Sequence, residues 1–268
     1  MKQRLILPGE FVPDPRIIPP PGTQINWRHP ITKGLRFAMV PHGPSGYPVD
    51  LVRNQMSKLL GAGTYVTYFP EKDVGCGYAE VAFSNRPDLV FNNPVSGACK
   101  FKHTGSAAYV TPMEVGVYVN ESNNQGWAVQ MRPNSEARPG LALLTWNNVG
   151  YATNVLQSSV NTNVTGVWDF GFSNDGTTRR IYLNGKADTS TTTGVTMATT
   201  TSNQFESSGN VGRGMISYAY IWNRVVLPWE FREIARNPWC FLKLPNPVMV
   251  DAAAAITWHT STVKVRTA

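Results

Sequence analysis

Carboxylates, histidines, cysteines and a small set of aromatic residues are the side chains whose types and spacing could do chemistry in this chain. Glycoside hydrolysis needs two carboxylates about 5–10 Å apart across a cleft. Alternate residues of a strand share a face, yet Glu114 opens Glu-Val-Gly-Val, with apolar residues or glycine where a second acid would stand. Glu80 is alone in Tyr78-Ala-Glu-Val81, and Asp169 is flanked by Trp168 and Phe170. Serine chemistry lacks its Gly-x-Ser-x-Gly elbow, because Gly43-Pro-Ser-Gly46 has proline where an elbow turns from strand to helix. Of His29, His42, His103 and His259, three sit beside proline or glycine or near the chain end. No glycine loop followed by Lys-Ser or Lys-Thr is present to cradle a phosphate. The chain reads as non-catalytic.

Trp127, the run Trp146-Asn147-Asn148, and Tyr151 have the chemistry of a sugar site, an aromatic platform bordered by amides. Strand aromatics are more often core residues, so both readings stand for this cluster, while Trp168, Phe170, Phe172 and Trp222 read as core. Cys76, Cys99 and Cys240 are odd in number and lack metal-ligand spacing. They read as buried or free thiols of a reducing compartment, with a Cys76–Cys99 bridge left open.

The formal net charge of +7 permits an acidic partner. The basic residues are scattered, from Lys2, Arg4 and Arg16 to Lys264 and Arg266, without the patch or stripe that nucleic acid requires. No apolar run reaches the roughly 18 residues that span a bilayer, and the run Leu5-Ile-Leu7 is too short for a signal-peptide core. The expectation is a protein made in the cytoplasm that binds no nucleic acid and does not insert in a membrane.

The elements that must position these residues are mostly strands. Residues 1–26 form an arm in which Pro8, Pro13, Pro15, Pro19, Pro20 and Pro21 forbid helix and central strand. Its apolar residues Leu5, Ile6, Leu7, Phe11, Val12, Ile17 and Ile18 call for a surface to lie on, either their own domain or another subunit. Leu35–Val40 alternates as a first strand. Further short strands are expected at Tyr65–Phe69, Tyr78–Phe83, Asp88–Phe91, Ala107–Val110, Glu114–Val119 (the central one), Gly126–Met131, Leu141–Trp146 and Asn154–Gln157. Val167–Phe172 points Trp168, Phe170 and Phe172 into the core. Asn174-Asp-Gly176 and Asn184-Gly185 are hairpin turns around the strand Arg179–Leu183. Val195–Thr200, Gly209–Val211 and Ile216–Trp222 complete the strands. One helix is expected over Pro228–Arg236, with proline in its first turn, Glu230 near its N-terminus and Phe231, Ile234 and Ala235 on one face. Residues 245–268 are an extension containing a β-prone segment around Ile256–Arg266.

Several motifs resemble one family. Trp27-Arg-His-Pro-Ile-Thr-Lys-Gly-Leu35, Ile181-Tyr-Leu-Asn-Gly185, Ile216-Ser-Tyr-Ala-Tyr-Ile-Trp-Asn-Arg224 and Leu227–Trp239 are similar to the laminin-G-like, concanavalin A-like jelly-roll domains of tailed-bacteriophage structural genes. The resemblance implies an all-β fold, a two-sheet antiparallel sandwich over residues 27–244 with one short C-terminal helix between extended arms. It implies a non-enzymatic virion subunit, a capsid decoration, head-fibre or tail-associated protein partnered by other virion proteins and by copies of itself. The arm residues Leu5 to Ile18 would then dock on the particle. The alternative it implies is a module for host surface glycans. The catalytic branch of this fold carries a Glu-x-Asp-x-x-Glu strand, which is absent here. Relatives hold calcium through loop-rim aspartates. Asp50, Asp73, Asp175 and Asp188 lie in turns, where each also serves as a turn former, and the reading assigns no metal and no cofactor.

Overall fold

The structure is a computed structural model. It describes residues 18–41, 48–59, 66–67, 77–78, 80–90, 93–103, 110–117, 125–132, 140–147, 154–162, 166–193, 204–208 and 214–245. In chain order the strands begin with β1 (Gln24–Ile25), β2 (Leu35–Val40), β3 (Val49–Asp50), β4 (Gln55–Met56), β5 (Lys58–Leu59), β6 (Val66–Thr67), β7 (Gly77–Tyr78) and β8 (Glu80–Phe83). Longer strands follow: β9 (Val95–His103), β10 (Val110–Val117), β11 (Gln125–Arg132), β12 (Gly140–Asn147), β13 (Asn154–Gln157) and β14 (Gly166–Asn174). The series ends with β15 (Arg179–Leu183), β16 (Lys186–Thr191), β17 (Phe205–Ser208), β18 (Gly214–Trp222), the helix α1 (Pro228–Arg236) and β19 (Leu242–Lys243).

These strands make a two-sheet antiparallel sandwich. A seven-stranded sheet runs β13-β12-β11-β10-β17-β8-β5. A ten-stranded sheet runs β16-β15-β14-β9-β18-β2-β3-β4, with β7 and β6 attached beside β18. Between them lies a core that includes Phe37, Phe83, Phe101, Phe170, Phe172 and Phe205. The alternation of β14 works as its sequence demands: Phe170 and Phe172 are buried there, and Trp168 packs against the same cluster.

Several strands have no counterpart in the sequence expectations, and two of them, β9 and β17, hold the sheets together. β9 is buried at all nine positions, because both its faces are covered. Val95, Cys99 and Phe101 face the main core, and Ala98 faces a second one. A strand buried on both sides need not alternate, so Val-Ser-Gly-Ala-Cys-Lys-Phe-Lys-His shows no period. The other is β17, the short strand that joins the two halves of the seven-stranded sheet. Asp88–Phe91 is not a strand: Pro87–Leu89 forms a 3-10 turn, with Arg86 bonded to the Asp88 carboxylate at 3.0 and 2.7 Å. Of Tyr65–Phe69, Val66–Thr67 pair with β7. Residues 107–109, 118–119, 194–203 and 209–213 lie outside the described residues.

The second core covers the outer face of the ten-stranded sheet. The helix lies there, with Phe231 stacked on Tyr182 at 4.3 Å. Gly171 makes that approach feasible, since a Cβ at this position would lie 2.5 Å from the Phe231 ring. The Asn184-Gly185 turn, with φ of 49° and 74°, is the positive-φ hairpin its sequence calls for. Ile25, Trp222, Trp239, Phe241 and Leu242 complete the cluster.

One side chain ties the two ends of this layer together. The Arg224 guanidinium forms a fork with Glu230 at 2.6 and 2.7 Å and donates to the carbonyls of Ile31 and Lys33. Glu230 also accepts the amide of Leu227 at 2.7 Å, capping the helix. The indole of Trp222 donates to Ile31 O at 2.7 Å.

The described end of the N-terminal arm lies on its own body. Ile18 packs against the main core, and β1 pairs antiparallel with β19. Pro19, Pro20, Gly22 and Thr23 wall a hollow of about 220 Å³ with Val40, Val49, Leu51, Asn54 and Met56. The arm residues Leu5, Ile6, Leu7, Phe11, Val12 and Ile17 are outside the described residues, as is the extension from 246 on. Among the described residues, no helix is long and apolar enough to cross a membrane.

Arg224→Ala strands the Glu230 carboxylate, which is 3% exposed, inside this joint. The expected cost is about 3 kcal/mol of unfolding free energy, read as a lower urea midpoint at unchanged slope. A loss under about 1 kcal/mol would show that the fork behaves as a surface ion pair.

Candidate functional site

The two faces of the sandwich are treated differently. The helix and the β1–β19 ribbon lie on the outer face of the ten-stranded sheet. No described helix or strand covers the outer face of the seven-stranded sheet.

Strand alternation decides which residues stand on that outer face. Met113 and Val115, Trp127 and Val129, Leu141 and Leu143, Phe205, and Val81 and Phe83 all face the main core. Their neighbours therefore face outward. Cross-strand register gives one complete row, with a residue from each strand: Lys58, Ala82, Glu206, Glu114, Ala128, Leu144 and Val155. The next row is Gly116, Gly126 and Trp146 on three adjacent strands.

In the middle of these rows Gly116 and Gly126 make a glycine floor: Gly126 has φ +97°, and a Cβ there would sit 2.0 Å from the Val115 carbonyl. The neighbouring Ala82, Ala128 and Leu144 are buried. Trp146 and Glu114 sit on strands two spacings apart, about 10 Å.

Glu114 and Glu206 are directly opposed across the β10–β17 pair. Such positions hold Cβ atoms about 5 Å apart. The Gln204 amide donates to Glu206 Oε1. Burial, with the Glu206 charge beside it, pushes the Glu114 carboxyl up to about 7. The pair therefore holds a proton under conditions where an ordinary glutamate has none. Glu206 was not among the sequence candidates, and Glu114 was weighed only along its own strand. The signal that joins them is register between distant strands, which no local pattern carries.

The sequence-predicted sugar cluster divides. Trp127 is 3% exposed and packs at 4.7 Å on Phe172 in the main core, so it cannot serve as a platform. In the register Trp127 pairs with Thr145 and Trp146 pairs with Gly126, so the two hold positions of opposite parity on the paired strands. Asn147 pairs with Gln125 at the end of β12, and Asn148 and Tyr151 lie outside the described residues.

The remaining candidates have structural work. Asp50 forms a fully buried pair with Arg86 at 2.7 Å and accepts the amides of Ala38, Val52 and Arg53. Burial pushes its carboxyl up, while Arg86 and those donors pull it back. Asp175 accepts from Thr177, Thr178 and Arg180 in its hairpin, which hold its carboxyl below the usual range. Asp188 binds Ser159, and Asp73 is outside the described residues. Among the described residues, no three of His, Cys, Asp and Glu gather to hold a metal ion. Asp169 accepts from the Tyr218 hydroxyl and lies 3.6 Å from Lys100, all three within the ten-stranded sheet. His29 Nδ1 accepts the Ile31 amide in a turn. Cys99 and Cys240 are free thiols, with burial pushing Cys240 up to about 12 and Cys99 higher still. Cys76 is outside the described residues.

No family model and no curated protein matches the sequence. Solved structures do match the fold. The binding domain of Paraclostridial Mosquitocidal Protein 1 is 11% identical, with a TM-score of 0.59, over 76% of this chain and 52% of that one. The botulinum neurotoxin serotype G binding domain is 11% identical, with a TM-score of 0.55, over 75% and 50%. The binding domain of botulinum neurotoxin DC, in complex with SialylT, is 9% identical, with a TM-score of 0.56, over 77% and 52%. The chain thus spans about half the length of these structures, and at such identities the likeness is one of fold.

The Glu114 shift has a thermodynamic consequence. The folded protein holds this proton up to about pH 7, whereas a free glutamate releases it near 4.5. Between those values the native state binds more protons than the unfolded one, so stability falls as pH rises through the window. Above it the full penalty is present. Glu114→Gln is expected to flatten that slope and to raise stability at about pH 8 by roughly 2 kcal/mol, read from urea titrations across the pH range. An unchanged slope would show that Glu114 ionises normally in the fold.

Proposed function

We propose that this chain is a non-enzymatic carbohydrate-binding module whose ligand lies along the outer face of the seven-stranded sheet. The carrying observation is the register that sets Trp146, a glycine floor and the Glu114–Glu206 pair in adjoining rows. An aromatic ring takes the apolar face of a sugar, and fixed acceptors take its hydroxyls. The floor lets the ring lie against backbone over a gap of about 10 Å between Trp146 and Glu114. Asn147 and Asn148 follow Trp146 directly in the sequence.

The carboxylates favour binding over hydrolysis. A glycosidase sets its two acids on either side of the scissile bond. Glu114 and Glu206 rise side by side from opposed positions of one sheet, so a sugar rests over both instead of between them. Support from outside the molecule comes from structures of the same fold that are binding domains by description, one of them in complex with SialylT. The reading as a virion subunit rests on the motif resemblance and on the apolar arm. Of the residues assigned to docking, Ile18 alone is described, and it packs against its own body.

A glycan array with the whole chain tests the proposal. Binding to a defined set of glycans is expected, with Trp146→Ala losing at least about tenfold in affinity and Trp229→Ala, on the helix-bearing side, unchanged. Retained affinity in Trp146→Ala, or equal loss in Trp229→Ala, would remove this face as the site.

A further inference from the structure

We infer that the hollow beside Pro19 and Pro20 receives the Phe11 side chain from the N-terminal arm of a second copy of this chain. The hollow has a volume of about 220 Å³. Pro19, Val40 and Val49 are buried in its floor, and Pro20, Asn54 and Met56 are exposed at its rim. Met56 is 61% exposed, a flexible apolar side chain held in water at the edge of an apolar recess. Thr23 in the wall spends both its hydroxyl and its amide on the Pro20 carbonyl, at 2.7 and 3.1 Å. What the recess offers an occupant is therefore mainly contact with carbon. Pockets for small-molecule ligands run to about 300–1,000 Å³, so this volume suits one side chain.

The place of the hollow names the occupant. Ile18, the first described residue, packs against the main core and leads straight into the hollow's wall. Pro245, the last described residue, stands at the same corner, where a Cβ on Gly22 would lie 3.3 Å from its Cβ. Residues 1–17 and 246–268 thus both continue from beside the recess. Phe11 is the one aromatic residue of the arm. Pro13, Pro15, Pro19, Pro20 and Pro21 favour an extended backbone, rising about 3.1 Å per residue. Phe11 would then stand about 20 Å from Ile18, beyond the hollow of its own body and within reach of a neighbour's. A stiff arm also loses less entropy on docking than a flexible one. When each copy gives an arm and receives one, the contact closes as a pair. The hollow belongs to strands β2, β3 and β4 of the ten-stranded sheet, so the pairing stands whether or not the other sheet binds sugar.

The test uses the full chain. Sedimentation velocity from about 1 to about 100 μM is expected to show pairs. Phe11→Asp and Met56→Asp should each weaken pairing at least about tenfold. Because Met56 is exposed, Met56→Asp should keep the wild-type urea midpoint at the lowest concentration, which separates lost pairing from lost folding. A second readout identifies the donor. With Phe11 replaced by photoreactive p-benzoylphenylalanine, in a mixture of light and isotopically heavy chains, irradiation should join position 11 of one label to segment 54–56 of the other. Single copies throughout the concentration range would overturn the proposal, as would pairs that survive both substitutions. Cross-links to segment 54–56 confined to chains of one label would assign the hollow to the chain's own arm and overturn the exchange. Cross-links that never reach segment 54–56 would remove the hollow as the seat.

Discussion

The fork between Arg224 and Glu230 is the interaction on which the layout depends. Arg224 holds the first turn of the helix through two carboxylate contacts and the entry segment through the carbonyls of Ile31 and Lys33. Residues near the start of the folded body and residues near its end thereby become one rigid corner. Without that corner the helix would have only its apolar stripe to place it, and nine residues are too few for an isolated helix to persist. Asn184-Gly185 and Gly171 make the same point from the other side, because each admits the helix at a distance that a side chain would forbid.

Fixing the helix fixes the asymmetry of the sandwich. One sheet gains a second core of aromatic residues, in which Tyr218, Tyr220 and Trp222 meet Trp239 and Phe241. The other carries no described helix on its outer face, where the outward positions are small or apolar and buried: Ala82, Ala128, Ala142 and Leu144. The buried Asp50–Arg86 pair with Asp88 shows how the fold treats acids that only hold structure. There each carboxylate has a guanidinium partner, and Asp50 has three backbone donors as well.

The sequence revealed elements whose signals are local. The helix over Pro228–Arg236 carries its proline, its acid and its stripe within one stretch, and the hairpins at Asp175-Gly176 and Asn184-Gly185 declare themselves by residue type. The sandwich follows from many such strands. What stayed hidden was information held between strands. β9 is covered on both faces, so its small and polar residues conceal a central position. Trp127 and Trp146 look alike as aromatic residues near amides, and only the pairing of β11 with β12 gives them positions of opposite parity. Glu206 sits in Phe-Glu-Ser-Ser, a context with no distinguishing pattern, and acquires meaning from Glu114 alone. The first half of the site, Trp146, was legible as chemistry; the second half was a matter of register.

The Glu114–Glu206 pair is an expensive arrangement to hold. Like charges directly opposed across strands destabilise a sheet, and these stand where β10 meets β17, the seam that joins the two halves of the seven-stranded sheet. The register also shifts at this seam between Thr111 and Glu114. Beneath it the fold compensates with apolar contact: Phe205 on β17 packs at 4.4 Å on Phe37 of the facing sheet and near Phe83 beside it. The strand is thus anchored from below while its upper face carries the unfavourable pair. A sheet selected for stability alone would put an apolar or oppositely charged partner at one of these positions. Tolerating a raised, buried carboxyl where β10 meets β17, with no guanidinium among the described residues of the kind given to Asp50, is the pattern expected where a group is kept for what it binds.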